Sequence, residues 1–241
     1  MALPWLTRYA PGDVVAALAP QLTDERKAKL EATLARRLAG LTVVLEDLHD
    51  PHNGAAAIRS VEAFGLCELH AVEQAEPFSF SARVTQGCEK WIALRRWPDV
   101  GACAAALHAR GFRLFAAVPG AELTVHDIDV SRPAALVFGN EHAGLTSAAQ
   151  AACDARFGIP MHGFTRSFNL SVSVAIAVHD CARRRRERVT ADAPDVPDEE
   201  RARLRARWYA LSMDERAAEG LVARYVSELT RGGVGGRRHG C

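Results

Sequence analysis

The chain has 241 residues, of which 49% are hydrophobic and 24% are charged, and its formal net charge is only +1. This composition excludes disordered and fibrous classes, and the near-neutral charge argues against a generally basic nucleic-acid binder. No apolar run is long enough to cross a bilayer and Met1 to Ala10 lacks a signal-peptide pattern, so we expect a soluble, cytoplasmic protein without membrane contact.

The N-terminal part of the chain is predicted to be an arm followed by a helix. Met1 to Gln21 contains prolines and a glycine and is predicted to be irregular. The helix opens at Thr23-Asp24-Glu25, with acidic residues in its first turn and Arg36-Arg37 near its end, as the helix dipole favours. Its apolar stripe comprises Leu30, Leu34 and Leu38.

The middle of the chain alternates between strands and helices. Leu41 to Glu46 is a mostly apolar run rich in valine, which is typical of a strand buried on both faces. Helices are predicted at Ala55 to Phe64, Val100 to Arg110 and Thr146 to Cys153, and strands at Glu68 to Val72, Trp91 to Leu94, Phe112 to Val118, Ala134 to Phe138 and Ala155 to Ile159. This alternation predicts an α/β domain with a mostly parallel sheet and helices on both faces.

The C-terminal part is predicted to be a helical extension. Thr190 to Pro197 has the composition of a linker, and helices are predicted at Asp198 to Ala210 and Met213 to Thr230. Ser212 and Glu215 form a capping-box pattern before the second helix. Gly232 to Cys241 is predicted to be a flexible tail. The expected boundaries are therefore 1–40, 41–189 and 190–241.

The stretch from Ile159 to Val174 carries polar groups where a strand passes into a long helix. The chain crosses Pro160 and Gly163 and enters the helix at Ser167 or Asn169, whose side chains can bond its first N–H groups. Val172, Ile176 and His179 then recur with helical spacing. Taken alone, the residues of this stretch are explained by a helix cap followed by a core helix.

Two further stretches change this interpretation: Leu136 to Leu145, and His52 through Arg59 to Gly65. Together with Ile159 to Val174, they resemble, in order, the three motifs of the SpoU family of RNA 2′-O-ribose methyltransferases. The resemblance runs from about Leu22 to Arg188 and is strongest for the TrmH branch, which methylates the ribose of guanosine 18 in tRNA. Periodicity alone predicts an ordinary doubly wound sheet, because knotted chains are rare. The resemblance implies a C-terminal trefoil knot and a homodimer.

The resemblance also implies a binding site for S-adenosylmethionine. Family cofactor contacts match Gly139, Ile159 and Phe168, and Ala117 at the end of the preceding strand. Phe168 departs from the family, which usually has leucine there. Without the resemblance, packing in the core is an alternative explanation of Ile159 and Phe168.

The catalytic residues implied by the resemblance are Arg59, Asn53, Glu141, Ser167 and Asn169. A guanidinium is a poor base, so the hypothesis is that Arg59 binds an RNA phosphate, aligns the ribose and assists removal of the 2′-hydroxyl proton. Taken alone, Arg59 is an exposed or paired charge, and the others are loop caps. His52 and Arg166 are candidates for substrate contacts.

Basic residues and metal-type ligands are the remaining features. Arg183 to Arg186 with Arg188, and alternate arginines from Arg201 to Arg207, give a locally basic region that is either a solvated face or a tRNA-binding surface. Asp47, His49, Asp50 and His52 offer possible ligands for a metal-dependent hydrolase, but no further anchored ligand accompanies them, and the six cysteines include no CxxC pair. We therefore expect no metal and reduced thiols.

Three alternatives to a tRNA guanosine-18 enzyme stay open. One is a ribose methyltransferase for ribosomal RNA or for another tRNA position. The second is a knotted RNA-binding module that has lost catalysis. The third is the metal-dependent hydrolase, whose activity a chelator would abolish.

Overall fold

The computed structural model describes residues 3–75, 77–190 and 194–233. The chain divides into two compact units: the segments up to Arg36 and from Pro197 form one, and Arg37–Val196 form the other. None of the described helices combines the length and the apolar character that a membrane span requires. The five cysteines among the described residues form no disulfide, and Cys241 lies outside those residues.

The elements alternate in the order that the sequence predicts. The strands are β1 (Leu41–Glu46), β2 (Glu68–Val72), β3 (Ala93–Trp97), β4 (Arg113–Ala117), β5 (Leu123–Thr124), β6 (Ala134–Phe138) and β7 (Ala155–Gly158). The helices are α1 (Pro11–Leu18), α2 (Asp24–Leu34), α3 (Pro51–Ala63), α4 (Ala82–Thr85), α5 (Val100–Ala109), α6 (Ser147–Ala152), α7 (Leu170–Arg186), α8 (Asp198–Ala210) and α9 (Glu215–Gly233).

The larger unit is built on a seven-stranded sheet in the order β3-β2-β1-β6-β4-β7-β5. Every strand pair described in this sheet is parallel, which confirms the predicted mostly parallel architecture. Successive side chains of β1 point to opposite faces, so Val43 and Leu45 pack with α3 and α7. Val44 packs on the other face with α5 and α6. Both faces are covered, which explains the continuous apolar composition of the central strands.

The smaller unit consists of α1, α2, α8 and α9, with Leu18 and Trp208 fully buried. The predicted irregular arm is wrong: a 3-10 helix spans Pro4–Arg8, α1 begins at Pro11, and a further 3-10 turn spans Ala19–Gln21. The prolines occupy first-turn positions, where a missing N–H has no cost, so they start helices here.

The predicted capping box at Ser212 is also wrong. Its hydroxyl donates to the Trp208 carbonyl (2.8 Å), and Asp214 instead accepts from the Ala217 N–H (3.0 Å) at the start of α9. Helix α9 continues through Gly233, past its predicted end at Thr230, and the rest of the predicted tail, residues 234–241, lies outside the described part of the chain.

Several boundaries in the larger unit differ from the prediction. Cys88–Trp91 form a 3-10 turn, and the strand follows it at Ala93–Trp97, where two arginines on the sheet edge hide the strand pattern. Helix α3 begins at Pro51, because the Asp50 side chain caps it by accepting from the His52 N–H (2.8 Å). The short elements α4 and β5 were not predicted. Their lengths are too small to produce a periodic signal.

Helix α7 turns a different face to the core than its spacing predicted. Val172 is 43% exposed and His179 is also exposed. The buried face instead comprises Val174, Ala177, Val178, Cys181 and Ala182. Val172, Ile176 and His179 therefore form a stripe on α7 that is exposed or half-buried in this chain.

The arginines at the end of α7 are engaged inside the larger unit. Arg184 donates to the carbonyls of Ile128 (2.6 Å) and Val125 (2.9 Å), and to the Asp180 carboxylate (2.8 Å). Arg185 donates to Asp195 (2.7 Å) and to the carbonyls of Val130 and Arg132 (both 2.9 Å). The segment predicted as a linker is thus tied to α7 through Asp195.

Candidate active site

A cavity of about 620 Å³ lies at the carboxyl edge of the sheet. In parallel sheets the strand ends meet at one edge, and here Phe138, Ala117 and Gly158 end β6, β4 and β7 beside the cavity. Eight of the predicted site residues line it: Asn53, Ala117, Gly139, Glu141, Ile159, Ser167, Phe168 and Asn169. Arg59, His52 and Arg166 do not line it.

The cavity combines apolar walls with a few polar groups. Phe138, Leu145, Phe157, Ile159, Met161 and Leu170 contribute apolar surface. Asn140, Ser167, Asn169 and Ser173 contribute polar atoms. The volume is that of a small-molecule site, and the lining offers apolar contacts together with polar groups that can orient a ligand.

One wall is a tight loop that begins at Gly139. A Cβ atom at this position would lie 2.2 Å from the Gly144 carbonyl carbon and from the Leu145 nitrogen, so only glycine fits. Asn140 and Gly144 exchange backbone hydrogen bonds of 3.1 and 2.9 Å, and Gly144 has a φ of 72°, which favours glycine. The loop therefore has a closed geometry that holds backbone groups at the cavity.

Three side chains from the three sequence motifs form one hydrogen-bonded chain. Asn169 donates its Nδ2 to Asn53 Oδ1 (3.1 Å), and Asn53 donates its Nδ2 to Glu141 Oε1 (2.9 Å). Asn169 Oδ1 also accepts from the Ser171 N–H (2.9 Å), which caps α7. Each amide is used as both donor and acceptor, so the network fixes their orientations. This chain joins α3, the Gly139 loop and the start of α7.

Glu141 accepts hydrogen bonds on both carboxylate oxygens. Besides Asn53, the donors are the backbone N–H groups of His49 (3.2 Å) and Asp50 (3.3 Å). Partial burial raises the pKa of Glu141, but these hydrogen bonds outweigh it and hold the pKa below its usual range. Glu141 is therefore ionised at neutral pH, and as an acceptor it holds the backbone of His49 and Asp50 in place.

Arg59 projects from the exposed side of α3, next to the fully buried Ile58. Its Nη1 donates to the Val84 carbonyl (2.9 Å), which places the guanidinium beside the C-terminal end of α4. His52 lies exposed in the first turn of α3, and Arg166 lies exposed in the segment between β7 and α7.

Asn140 is a cavity residue that the sequence analysis did not single out. Its Nδ2 donates to the Asp47 carbonyl (2.6 Å), and its Oδ1 accepts from the His142 N–H (2.8 Å). The Gly-Asn-Glu order was the available signal, because asparagine after a strand commonly bonds a backbone group two residues on. Among residues 3–75, 77–190 and 194–233, no three His, Cys, Asp or Glu side chains are grouped as a metal site would require.

A parallel α/β sheet with a nucleoside-sized cavity at its carboxyl edge defines a class of ligand-binding α/β proteins. The sequence profile of the SpoU rRNA Methylase family matches residues 40–179, which include the strands and loops around the cavity. The chain belongs to this family.

Named relatives are similar over most of the chain. The tRNA (guanosine(18)-2′-O)-methyltransferase of Thermus thermophilus is 33% identical over 187 residues, covering 77% of this chain and 96% of the relative. The Escherichia coli K12 protein of the same name is 32% identical over 165 residues, covering 68% of this chain and 72% of the relative.

Solved structures share the fold. The TrmH/SpoU tRNA modifying enzyme of A. aeolicus has a TM-score of 0.70 at 24% identity, covering 78% of this chain and 98% of that one. The SpoU methyltransferase AviRb from Streptomyces viridochromogenes, in complex with the cofactor AdoMet, has a TM-score of 0.58 at 26% identity. That match covers 63% of this chain and 62% of AviRb.

Proposed function

We propose that this protein methylates the ribose 2′-oxygen of guanosine 18 in tRNA, with S-adenosylmethionine as the methyl donor. The observation that carries the proposal is the hydrogen-bonded chain Asn169–Asn53–Glu141, which unites the three family motifs at one cavity. The relatives named as tRNA (guanosine(18)-2′-O)-methyltransferases support the substrate, and the AviRb complex supports the donor.

The cavity fits the donor in size and in chemistry. The adenosine part requires an apolar slot with main-chain hydrogen-bonding groups, which Gly139, Ile159 and Phe168 offer at strand and helix ends. Ala117 closes the slot from the end of β4. S-Adenosylmethionine, when bound, supplies a methyl group on a positively charged sulfur. Ser167 and Asn169 line the same cavity, where they would orient the ribose that receives it.

Arg59 is proposed to serve the cavity of a second subunit. It does not line the cavity of its own chain, and its guanidinium is held on the exposed side of α3. Phe168 and Val172, 40% and 43% exposed at the start of α7, offer apolar surface for a homodimer contact beside the cavity. In such a dimer Arg59 would bind an RNA phosphate and align the 2′-hydroxyl for loss of its proton. A trefoil knot in the segment around the Gly139 loop and α7 belongs to the same proposal, as does a cytoplasmic location.

Several arginines of the predicted basic region are paired within the chain. Arg184 and Arg185 are bound to carbonyls and carboxylates within the larger unit, and Arg201, Arg203 and Arg205 each form an ion pair within the smaller one. Phosphate binding by the C-terminal helices is therefore expected to be weaker than their arginine content suggests. His52, Arg59 and Arg166 are the exposed basic residues that we propose contact the tRNA.

Methyl transfer from radiolabelled S-adenosylmethionine tests the reaction, with tRNA transcripts carrying guanosine or 2′-deoxyguanosine at position 18. Incorporation that disappears with the deoxy substrate supports the proposal. Incorporation only into ribosomal RNA would favour the ribosomal alternative, and RNA binding without incorporation would favour the inactive module. Activity lost in the presence of a chelator would favour a metal-dependent enzyme.

Arg59→Ala tests the catalytic arginine. We expect a loss of more than about tenfold in kcat/KM, or about 1.4 kcal/mol. Arg83→Ala is the matched control, because Arg83 is also an exposed arginine, on the neighbouring α4. Retention of turnover within tenfold of the wild type in Arg59→Ala would contradict the role.

A mixing experiment separates action within a subunit from action across a dimer. Under this proposal Arg59→Ala and Asn169→Ala each have strongly reduced activity by themselves. Random exchange of subunits in an equal mixture would restore about a quarter of the wild-type sites if Arg59 serves the partner's cavity. A mixture that exchanges subunits yet stays inactive would place Arg59 and the cavity in the same chain.

A further inference from the structure

We infer that the Glu46 carboxylate and Thr146 form a latch that sets the affinity for the methyl donor without touching it. The inference rests on the proposed function, because it concerns the donor that the cavity would bind. Glu46 ends β1 and is 2% exposed, and it does not line the cavity. Thr146 directly follows the loop that does.

Both oxygens of Glu46 are used by this single residue. Thr146 donates its hydroxyl to Oε1 (2.6 Å) and its backbone N–H to Oε2 (2.9 Å). The same hydroxyl oxygen accepts from the Ala149 N–H (3.1 Å) and so caps α6. A buried carboxylate with both oxygens hydrogen-bonded is a rigid anchor, since breaking either bond leaves a desolvated oxygen without a donor.

The anchor acts on the wall of the cavity. Leu145 precedes Thr146, lines the cavity and is 8% exposed. Its nitrogen would lie only 2.2 Å from a Cβ at Gly139, so the two ends of the loop are packed against each other. A shift of Thr146 would therefore move Leu145 against Gly139, where the adenosine part of the donor is proposed to bind.

The next residue of the chain holds the other end of the loop. The carbonyl of Asp47 accepts from Asn140 Nδ2 (2.6 Å), and Asp47 has a φ of 46°, which is uncommon for a residue with a side chain. Its Oδ1 accepts from the Ala75 N–H (2.7 Å), which supports this conformation. Glu46 bonds Thr146 after the loop and Asp47 bonds Asn140 near its start, so these two adjacent residues hold both ends of the loop.

The test compares Thr146→Val with Thr146→Ser. Valine keeps the volume but loses the hydroxyl, whereas serine keeps both hydrogen bonds to Glu46 and the cap of α6. Calorimetric titration with S-adenosylhomocysteine is expected to show about tenfold weaker binding for Thr146→Val and near wild-type binding for Thr146→Ser. In assays of tRNA methylation, KM for the donor should rise, while KM for tRNA and kcat at saturating donor stay unchanged.

Asp99→Ala is the matched control for the loss of a helix cap. Asp99 caps α5 by accepting from the Ala102 N–H (2.7 Å) and is not a cavity residue. Its variant should bind the ligand like the wild type and lose the part of the thermal stability that a helix cap contributes. Equal weakening by Asp99→Ala and Thr146→Val would overturn the latch, because general destabilisation would then explain both.

Two further outcomes keep the result decisive. If Thr146→Val does not fold, Glu46→Gln carries the same test, since its amide nitrogen would face one of the Thr146 donors. Equal affinity of the wild type and a folded Thr146→Val or Glu46→Gln variant would overturn the latch alone. Absence of binding to the wild-type chain would overturn the proposed function and the latch together.

Discussion

Replacing Asn53 by aspartate should turn the central hydrogen bond of the site into a repulsion. Asn53 is 8% exposed, and its Nδ2 lies 2.9 Å from Glu141 Oε1. In Asn53→Asp a second carboxylate would take the place of that donor. Two unit charges about 4 Å apart repel by about 1 kcal/mol in water and about 4 kcal/mol near a protein surface. Because Glu141 is half-buried, we expect about 2 kcal/mol of destabilisation at about pH 8, added to the lost hydrogen bond.

The sign of the pH dependence distinguishes this repulsion from a simple loss of contact. In the wild type the pKa of Glu141 is lowered, so its stabilising contribution is present above the unfolded pKa and is lost as pH falls through the folded one. In Asn53→Asp the two carboxylates raise the pKa of the pair, so stability should increase as pH falls from about 8 to about 5.5.

Urea unfolding at both pH values measures the effect. Asn53→Ala is the control, because it removes both hydrogen bonds of Asn53 and adds no charge. The control should be destabilised at both pH values, without the gain at the lower one. An Asn53→Asp protein as stable as Asn53→Ala at about pH 8, with no gain at about pH 5.5, would refute the electrostatic reasoning.

Two further substitutions probe the packing around the site. Gly139→Ala should lower the free energy of unfolding by about 1 to 3 kcal/mol and abolish donor binding, because its Cβ would lie 2.2 Å from the loop backbone. Gly12→Ala is the control, since a Cβ there has nothing within 4 Å, and thermal unfolding should show it to be neutral or stabilising. Arg185→Ala should lower the free energy of unfolding by about 3 to 5 kcal/mol, since it strands the buried Asp195 carboxylate, while the exposed Arg183→Ala should cost less than about 1 kcal/mol. Equal losses of stability for Gly139→Ala and Gly12→Ala, or for Arg185→Ala and Arg183→Ala, would contradict these packing arguments.

The sequence predicted those elements whose signals are local. β1 and β6 have the predicted bounds, because a continuous apolar run between helical segments indicates a buried parallel strand. The helix caps at Asp50 and Asn169 were likewise within reach of a local pattern, since asparagine and aspartate before a helix accept from its first N–H groups. Proline has two explanations, since it can interrupt a helix or start one. The predicted irregular arm assumed the first, whereas the prolines of the first twenty residues start helices.

The contacts that shape the site are long-range, and no local signal encodes them. Glu46 and Thr146 are 100 residues apart, and Asn53 and Asn169 are 116 apart. The family resemblance brought Asn53 and Asn169 to attention but left Glu46 and Thr146 unnoticed. A glutamate at the end of an apolar strand usually indicates that the chain becomes exposed to solvent there. Its burial depends on a threonine that the sheet brings to the same edge.

The arginine run of α7 shows why charge content is a weak guide to nucleic-acid binding. A guanidinium has five N–H donors and can satisfy several carbonyls at once, so an arginine can be a structural residue. Arg184 and Arg185 use these donors on Val125, Ile128, Val130 and Arg132, all in the segment between β5 and β6. A phosphate that competed for these groups would leave the carbonyls without donors. Arg184 and Arg185 are therefore structural residues of the larger unit, and their number in the sequence overstates what α7 offers to an RNA phosphate.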